Sequence, residues 1–151
     1  MSDAHTRFVY VTYIRTTPEK LWAALTLPEF TKQYWFGVTM ESDWKPGSDW
    51  KMMYADGRVT DSGEIIEADA PRRLVIKWRN EWKPEFKAEG YSRCTMEIEP
   101  TNGVVKLTVT HEMEIANARM INEGVSTGWP MILSNLKTLL ETGESMAPAK
   151  P

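Results

Sequence analysis

The chain has 151 residues, of which 42% are hydrophobic and 26% charged, and its net charge is −3. That length suits one domain, which buries roughly 70% of its unfolded surface and has material enough to wall a cavity. The negative balance, with no basic run, argues against a nucleic-acid partner, and the single cysteine, Cys94, forms neither an internal disulfide nor a cysteine-based metal site.

Residues 1–7 are small and polar in the main and are expected to be a disordered start. They lack the basic-then-apolar pattern of a signal peptide, so a cytoplasmic address is expected. No apolar run approaches the roughly 20 residues that cross a bilayer. Residues 8–15 are β-branched and aromatic and read as a strand. Thr17, Pro18 and Glu19 then form a helix start: a capping hydroxyl, a proline at the first helical position and an acid at the positive end. Leu21, Trp22 and Leu25 share one face of that helix. Pro28-Glu29 repeats the start signal for a second short helix that reaches about Tyr34.

Strands follow at 38–43, 48–55, 58–68, 73–82, 92–99 and 104–115. Lys45-Pro46-Gly47 and Asp69-Ala70-Pro71 are turns, and Asp56-Gly57 and Asn102-Gly103 are tight-hairpin signals. Gly63 marks a bulge or bend. Leu74, Ile76 and Trp78 alternate with Arg73, Lys77 and Arg79, as on a strand with one wet face. Residues 83–90 read as a polar loop. From Ile121 to Leu140 the apolar positions keep helical spacing; Asn117 is the candidate cap, Gly143 the stop, and Pro130 predicts a kink near Ser126. Residues 144–151 are expected to be a flexible tail. The fold class is therefore α+β: an antiparallel sheet of about six to seven strands, joined by short turns, whose apolar face has only the last helix to cover it.

The strings Pro18-Glu19-Lys20-Leu21-Trp22-Ala23-Ala24-Leu25-Thr26, Pro28-Glu29, Tyr34-Trp35-Phe36-Gly37, Gly63-Glu64-Ile65-Ile66-Glu67 and Pro71-Arg72-Arg73-Leu74 recur in order with Trp78, the run 108–112, and Gly128-Trp129 before Leu133 and Leu136. Together, over residues 8–142, they resemble the Hsp90-ATPase-activator-homologue-like (AHSA1-type) family. That family lies within the START-related, SRPBCC superfamily. The resemblance implies a helix-grip (START/Bet v 1-like) fold over residues 8–143, with a deep cavity between the concave sheet and the long helix. Superfamily members use such cavities for lipids, sterols, polyketides and plant hormones, some as carriers or sensors and some as enzymes. The co-chaperone that gives the family its name also has an N-terminal Hsp90-contacting domain with a Trp-His-Trp motif. No such string occurs here, so Hsp90 contact is the weaker expectation.

Seven tryptophans and nine methionines are rich for this length, and they suit an apolar pocket with flat, adaptable walls. Plain core packing is the commoner use of any one of them. Trp35, Met52, Tyr54, Trp78, Met96 and Trp129 are the expected walls, and His111, in step with Leu107 and Val109, the expected polar anchor. Gly128 and Pro130 are expected to let the helix flex as a gate. Asp61, Glu64, Glu67, Glu112 and Glu114 are assigned to the solvated sheet face, and Cys94 to the core. Trp44 and Trp82 lie near strand ends, either as exposed contact residues or as plugs. Without paired metal ligands, a glycine-rich phosphate loop or a nucleophile elbow, no metal, cofactor or catalytic residue is assigned. The leading expectation is a non-catalytic module that holds an apolar or amphipathic small molecule. An enzyme of the cyclase or hydrolase type would need His111 paired with a buried carboxylate, and a protein-contact module would need an exposed apolar patch. Homodimerisation is left open.

Overall fold

The computed structural model describes residues 4–146. Alternation of buried and exposed side chains carries β1 (Thr6–Ile14), which starts two residues before the expected strand. His5 is held to Glu112 at 2.9 Å and Thr6 and Arg7 belong to β1, so these residues of the expected disordered start are ordered; residues 1–3, and residues 147–151 of the expected tail, lie outside the described residues. Helix α1 (Pro18–Thr26) opens as its sequence demands: the Thr17 side chain accepts the Lys20 N–H, and Pro18 needs no partner for an N–H it lacks. Helix α2 (Pro28–Tyr34) follows directly. The Tyr34 hydroxyl donates to the Ala24 carbonyl at 2.8 Å and locks the two helices together.

Six further strands complete the sheet: β2 (Thr39–Ser42), β3 (Asp49–Met53), β4 (Val59–Asp69), β5 (Arg73–Asn80), β6 (Ser92–Thr101) and β7 (Val104–Met113). The order is β1-β7-β6-β5-β4-β3-β2, and each neighbouring pair is antiparallel. Asn102 and Gly103 both take positive φ, 47° and 85°, which is the geometry a two-residue hairpin turn requires. Register shifts at Met52/Met53 and between Ile65 and Glu67 bend the sheet. Gly63 stands opposite both Trp50 and Trp78, and a Cβ there would lie 1.7 Å from the Lys77 carbonyl oxygen. No side chain fits at that position, and the two indoles meet across it with centroids 4.5 Å apart.

Residues 83–90 are not a loop throughout: helix α3 (Pro84–Lys87) forms within them and buries Phe86. A proline followed by an acid starts this helix as it does α1 and α2, and its shortness hides the apolar periodicity that would reveal it. The C-terminal helical run spans 120–142, as a π-helical segment (Met120–Val125) that passes into α4 (Ser126–Thr142). The expected kink site, Ser126, is the junction of the two helical forms. Pro130 has no N–H to offer the carbonyl four residues back, so the ordinary α pattern is broken there in any case. Asn117 does not cap; it sits at φ 54° in the turn before the run. Instead the Glu89 carboxylate accepts the N–H groups of Arg119 and Met120, each at 2.8 Å, and Thr6 Oγ1 accepts that of Ala118. Gly143, at φ 90°, ends α4. Trp129, Ile132, Leu133, Leu136 and Leu139 face the concave sheet from α4, which gives the helix-grip arrangement its core. Among the described residues no helix is long and apolar enough to cross a membrane.

Candidate functional site: a tryptophan-walled cavity

One end of the grip is left open. A cavity of about 730 Å³ lies between the β3–β5 part of the sheet and the 120–142 helical run. From α2 the chain enters its wall through Trp35, Phe36 and Gly37. Phe36 holds φ 53° and Gly37 82°, and the first is a costly value for a bulky residue. The sheet contributes Met52 from β3, Thr60 and Asp61 from β4, and Trp78 and Asn80 from β5. Phe86 closes one side from α3, and Met120, Gly124, Gly128, Trp129 and Ile132 form the helical wall.

Three indoles shape the interior. Trp35 meets Trp129 edge-on with centroids 5.1 Å apart, and Trp78 lies 6.1 Å from Trp35 and 6.0 Å from Trp129. Behind them His111 is fully buried. Trp129 Nε1–H donates to His111 Nδ1 at 3.1 Å, which leaves the ring's proton on Nε2. Nε2–H then donates to Ser92 Oγ at 2.7 Å, and the Ser92 hydroxyl donates to the Trp78 carbonyl at 3.0 Å. Every polar atom in this relay is satisfied. Burial pushes the imidazole pKa down to about 3, so the ring is neutral.

Asp61 is the charged group on the cavity wall behind the mouth. Its Oδ2 accepts the Trp78 indole N–H at 2.7 Å. Burial raises its pKa to about 6 against the pull of hydrogen bonds from Trp78 and Thr60, and the negative charge of Glu81 adds to the rise. At the mouth Asp56 and Arg58 pair at 2.8 Å, and the Arg58 guanidinium lies 4.8 Å from the centre of the Tyr54 ring. Tyr54 is 41% exposed and Trp82 64%, so both stand at the rim.

Two glycines keep the helical wall thin. A Cβ on Gly128 would meet only the Ile132 Cδ1, at 3.8 Å, and one on Gly124 would come within 3.0 Å of the Phe86 ring. Glycine inside a helix costs about 1 kcal/mol relative to alanine, so the space at Gly128 is kept at some expense in stability.

Of the expected wall residues, Trp35, Met52, Tyr54, Trp78 and Trp129 do line the cavity. Met96 does not: it pairs with Leu74 and Val109 in the middle of the sheet, and packs in the core. His111 points inward as its alternation predicts, but it lies behind Trp78 and Trp129 and spends both ring nitrogens on protein partners. It has no nitrogen left to anchor a ligand and no carboxylate partner. Asp61 is the residue that sequence reasoning misplaced. It shares the inward parity of Gly63 and Ile65 and stands opposite Met52 and Asn80. That parity was available in the sequence, but an acid on a strand is read as solvent-facing by default. Phe86 was missed together with α3. Trp44 packs partly buried against the core, whereas Trp82 is exposed.

The model of the family described as Activator of Hsp90 ATPase homolog 1-like protein matches residues 15–141. The chain belongs to this family. As a member of the Activator of Hsp90 ATPase homolog 1-like family it has every cavity-lining element within the matched region. No curated protein matches the chain. Solved structures of the same fold include a Mesorhizobium loti protein, 23% identical with a TM-score of 0.75, where the match covers 89% of this chain and 96% of that one. The Aha1 dimer from Colwellia psychrerythraea is 17% identical with a TM-score of 0.74, over 93% of this chain and 99% of that one. An HSP90 activator from Plasmodium falciparum is 24% identical with a TM-score of 0.71, over 89% and 95%. At these identities the likeness is one of fold.

Proposed function

We propose that this member of the Activator of Hsp90 ATPase homolog 1-like family binds an apolar or amphipathic small molecule in the cavity between its sheet and its C-terminal helical run. The supporting observation is the cavity itself: about 730 Å³, within the range of small-molecule sites, walled by Trp35, Trp78 and Trp129. The three indoles offer a ligand a broad apolar surface to bury, and its removal from water favours binding. The π-helical segment on its wall is a form found often at functional sites. Binding without chemistry is favoured because the interior offers one titratable group, Asp61, where acid–base catalysis needs two groups that converge.

Titration of the protein with the fluorescent arylamine 1-aminoanthracene tests this. The wild type is expected to bind it with a blue shift in emission, and Gly128→Leu, which fills the space beside Ile132, to lose at least about tenfold in affinity. A wild type that leaves the dye in water, or a folded Gly128→Leu protein that binds equally well, would contradict the proposal.

A second reading, contact with an Hsp90-type chaperone, draws on the family and on the exposed Trp82 at the rim. Capture of Hsp90 by the wild type but not by Trp82→Ala is its expected signature. The dimer of the Colwellia protein supports a homodimer here too, and light scattering of the eluting peak measures it.

A further inference from the structure

We infer that the cavity selects a cationic amphiphile, with a protonated amine on Asp61 and an apolar body against Trp35, Trp129 and Ile132. The inference rests on the ligand-binding reading above and specifies its chemistry.

The charges of the cavity are unequal in kind. At the mouth Arg58 is the cation of the lining; it is largely exposed, with its Nε on Asp56 Oδ2 and its guanidinium over the Tyr54 ring. Arg58 stands at the exposed mouth, so an anionic ligand would find no cation among the interior lining. Asp61 is different. Among the described residues no lysine, arginine or histidine forms an ion pair with it, while the nearby Glu81 is held by Arg79 and Lys87. Its Oδ2 takes the Trp78 N–H, yet a carboxylate offers about four acceptor positions, so capacity remains for a ligand donor.

The neighbours of Asp61 point the same way. Asn80, the other strong polar group on this wall, has its Oδ1 occupied by the Lys83 N–H at 2.8 Å. The indole faces of Trp35, Trp78 and Trp129 carry no cation among the described residues; the cation–ring contacts lie on Tyr54, Tyr91 and Phe86. Electron-rich faces beside an unpaired carboxylate attract an ammonium group and repel a carboxylate. Burial makes the Asp61 charge expensive in the empty protein, and a bound cation would offset that expense.

Isothermal titration calorimetry with three matched probes decides the matter. Decylamine, decanol and decanoate share a chain and differ in charge, and each is titrated near neutral pH below its micelle concentration. The wild type is expected to bind decylamine about tenfold more tightly than decanol, and decanoate most weakly. Asp61→Asn keeps a carbonyl oxygen for the Trp78 N–H but removes the charge, and is expected to bring the amine-to-alcohol ratio close to one. Decanol binding as tightly as decylamine in the wild type overturns the inference and leaves the cavity reading intact. So does an amine preference that survives in Asp61→Asn. If none of the three probes binds, the cavity reading fails and this inference fails with it. The wild-type comparison holds whether or not the variant folds.

Discussion

His111 and Asp61 both carry titratable groups into low-dielectric surroundings, and their effects on stability oppose each other. A histidine in the unfolded chain takes up a proton near 6.5, but folded His111 resists it down to about 3, so its contribution is lost as pH falls through that window. Asp61 ionises near 3.8 when unfolded and near 6 when folded, so it subtracts stability as pH rises through its own window. The two slopes partly cancel between pH 4 and 6. Asp61→Asn removes one of them, and urea unfolding of that variant is expected to gain stability with rising pH more steeply than the wild type over that interval. Ser92→Ala breaks the relay from Trp129 through His111 to the Trp78 carbonyl, and is expected to cost about 1–3 kcal/mol by the same measurement. At this scale the sequence was half legible. Alternation with Leu107 and Val109 was enough to turn His111 inward, but its partners come from β6 and α4, and nothing local to His111 names them.

Short elements decide how the cavity is framed. Glu89, just beyond α3, caps the start of the helical run by accepting the N–H groups of Arg119 and Met120, so Glu89→Ala is expected to lower stability by about 1 kcal/mol in chemical denaturation. Gly128→Ala is expected to raise it by a similar amount, since the added Cβ meets nothing closer than 3.8 Å and alanine is the better helix former. The hairpins at Asp56-Gly57 and Asn102-Gly103, the Thr17 cap of α1, the Pro28-Glu29 start of α2 and the stop at Gly143 could all be read from a few adjacent residues, because the physics there is local. Helix α3 and the Glu89 cap could not. The first is a single turn too short for a periodic signal, and the second joins residues some thirty positions apart, roughly the span of a βαβ unit.

The whole molecule follows from a sheet with one apolar face and a single long helix to cover it. That inference needs only the order of elements, and the antiparallel sheet β1-β7-β6-β5-β4-β3-β2 around the 120–142 run agrees with it. Where the cover falls short is a matter of tertiary packing. The helical run packs against β1 and β7, with Leu133 and Leu136 in the core, but thins to Gly124 and Gly128 over β3–β5. Glycines in a helix pattern could have signalled that thinning, whereas the exclusion of Met96 and His111 depends on which half of the sheet each strand occupies. Under the proposed function this opening is where a small molecule enters. Native mass spectrometry of the protein purified gently from its own source, followed by organic extraction, tests this claim most directly. One apolar or amphipathic small molecule per chain, released on denaturation, is the expected result. A chain that carries nothing, and takes up nothing when a lipid and amine extract is added back before spraying, would contradict it.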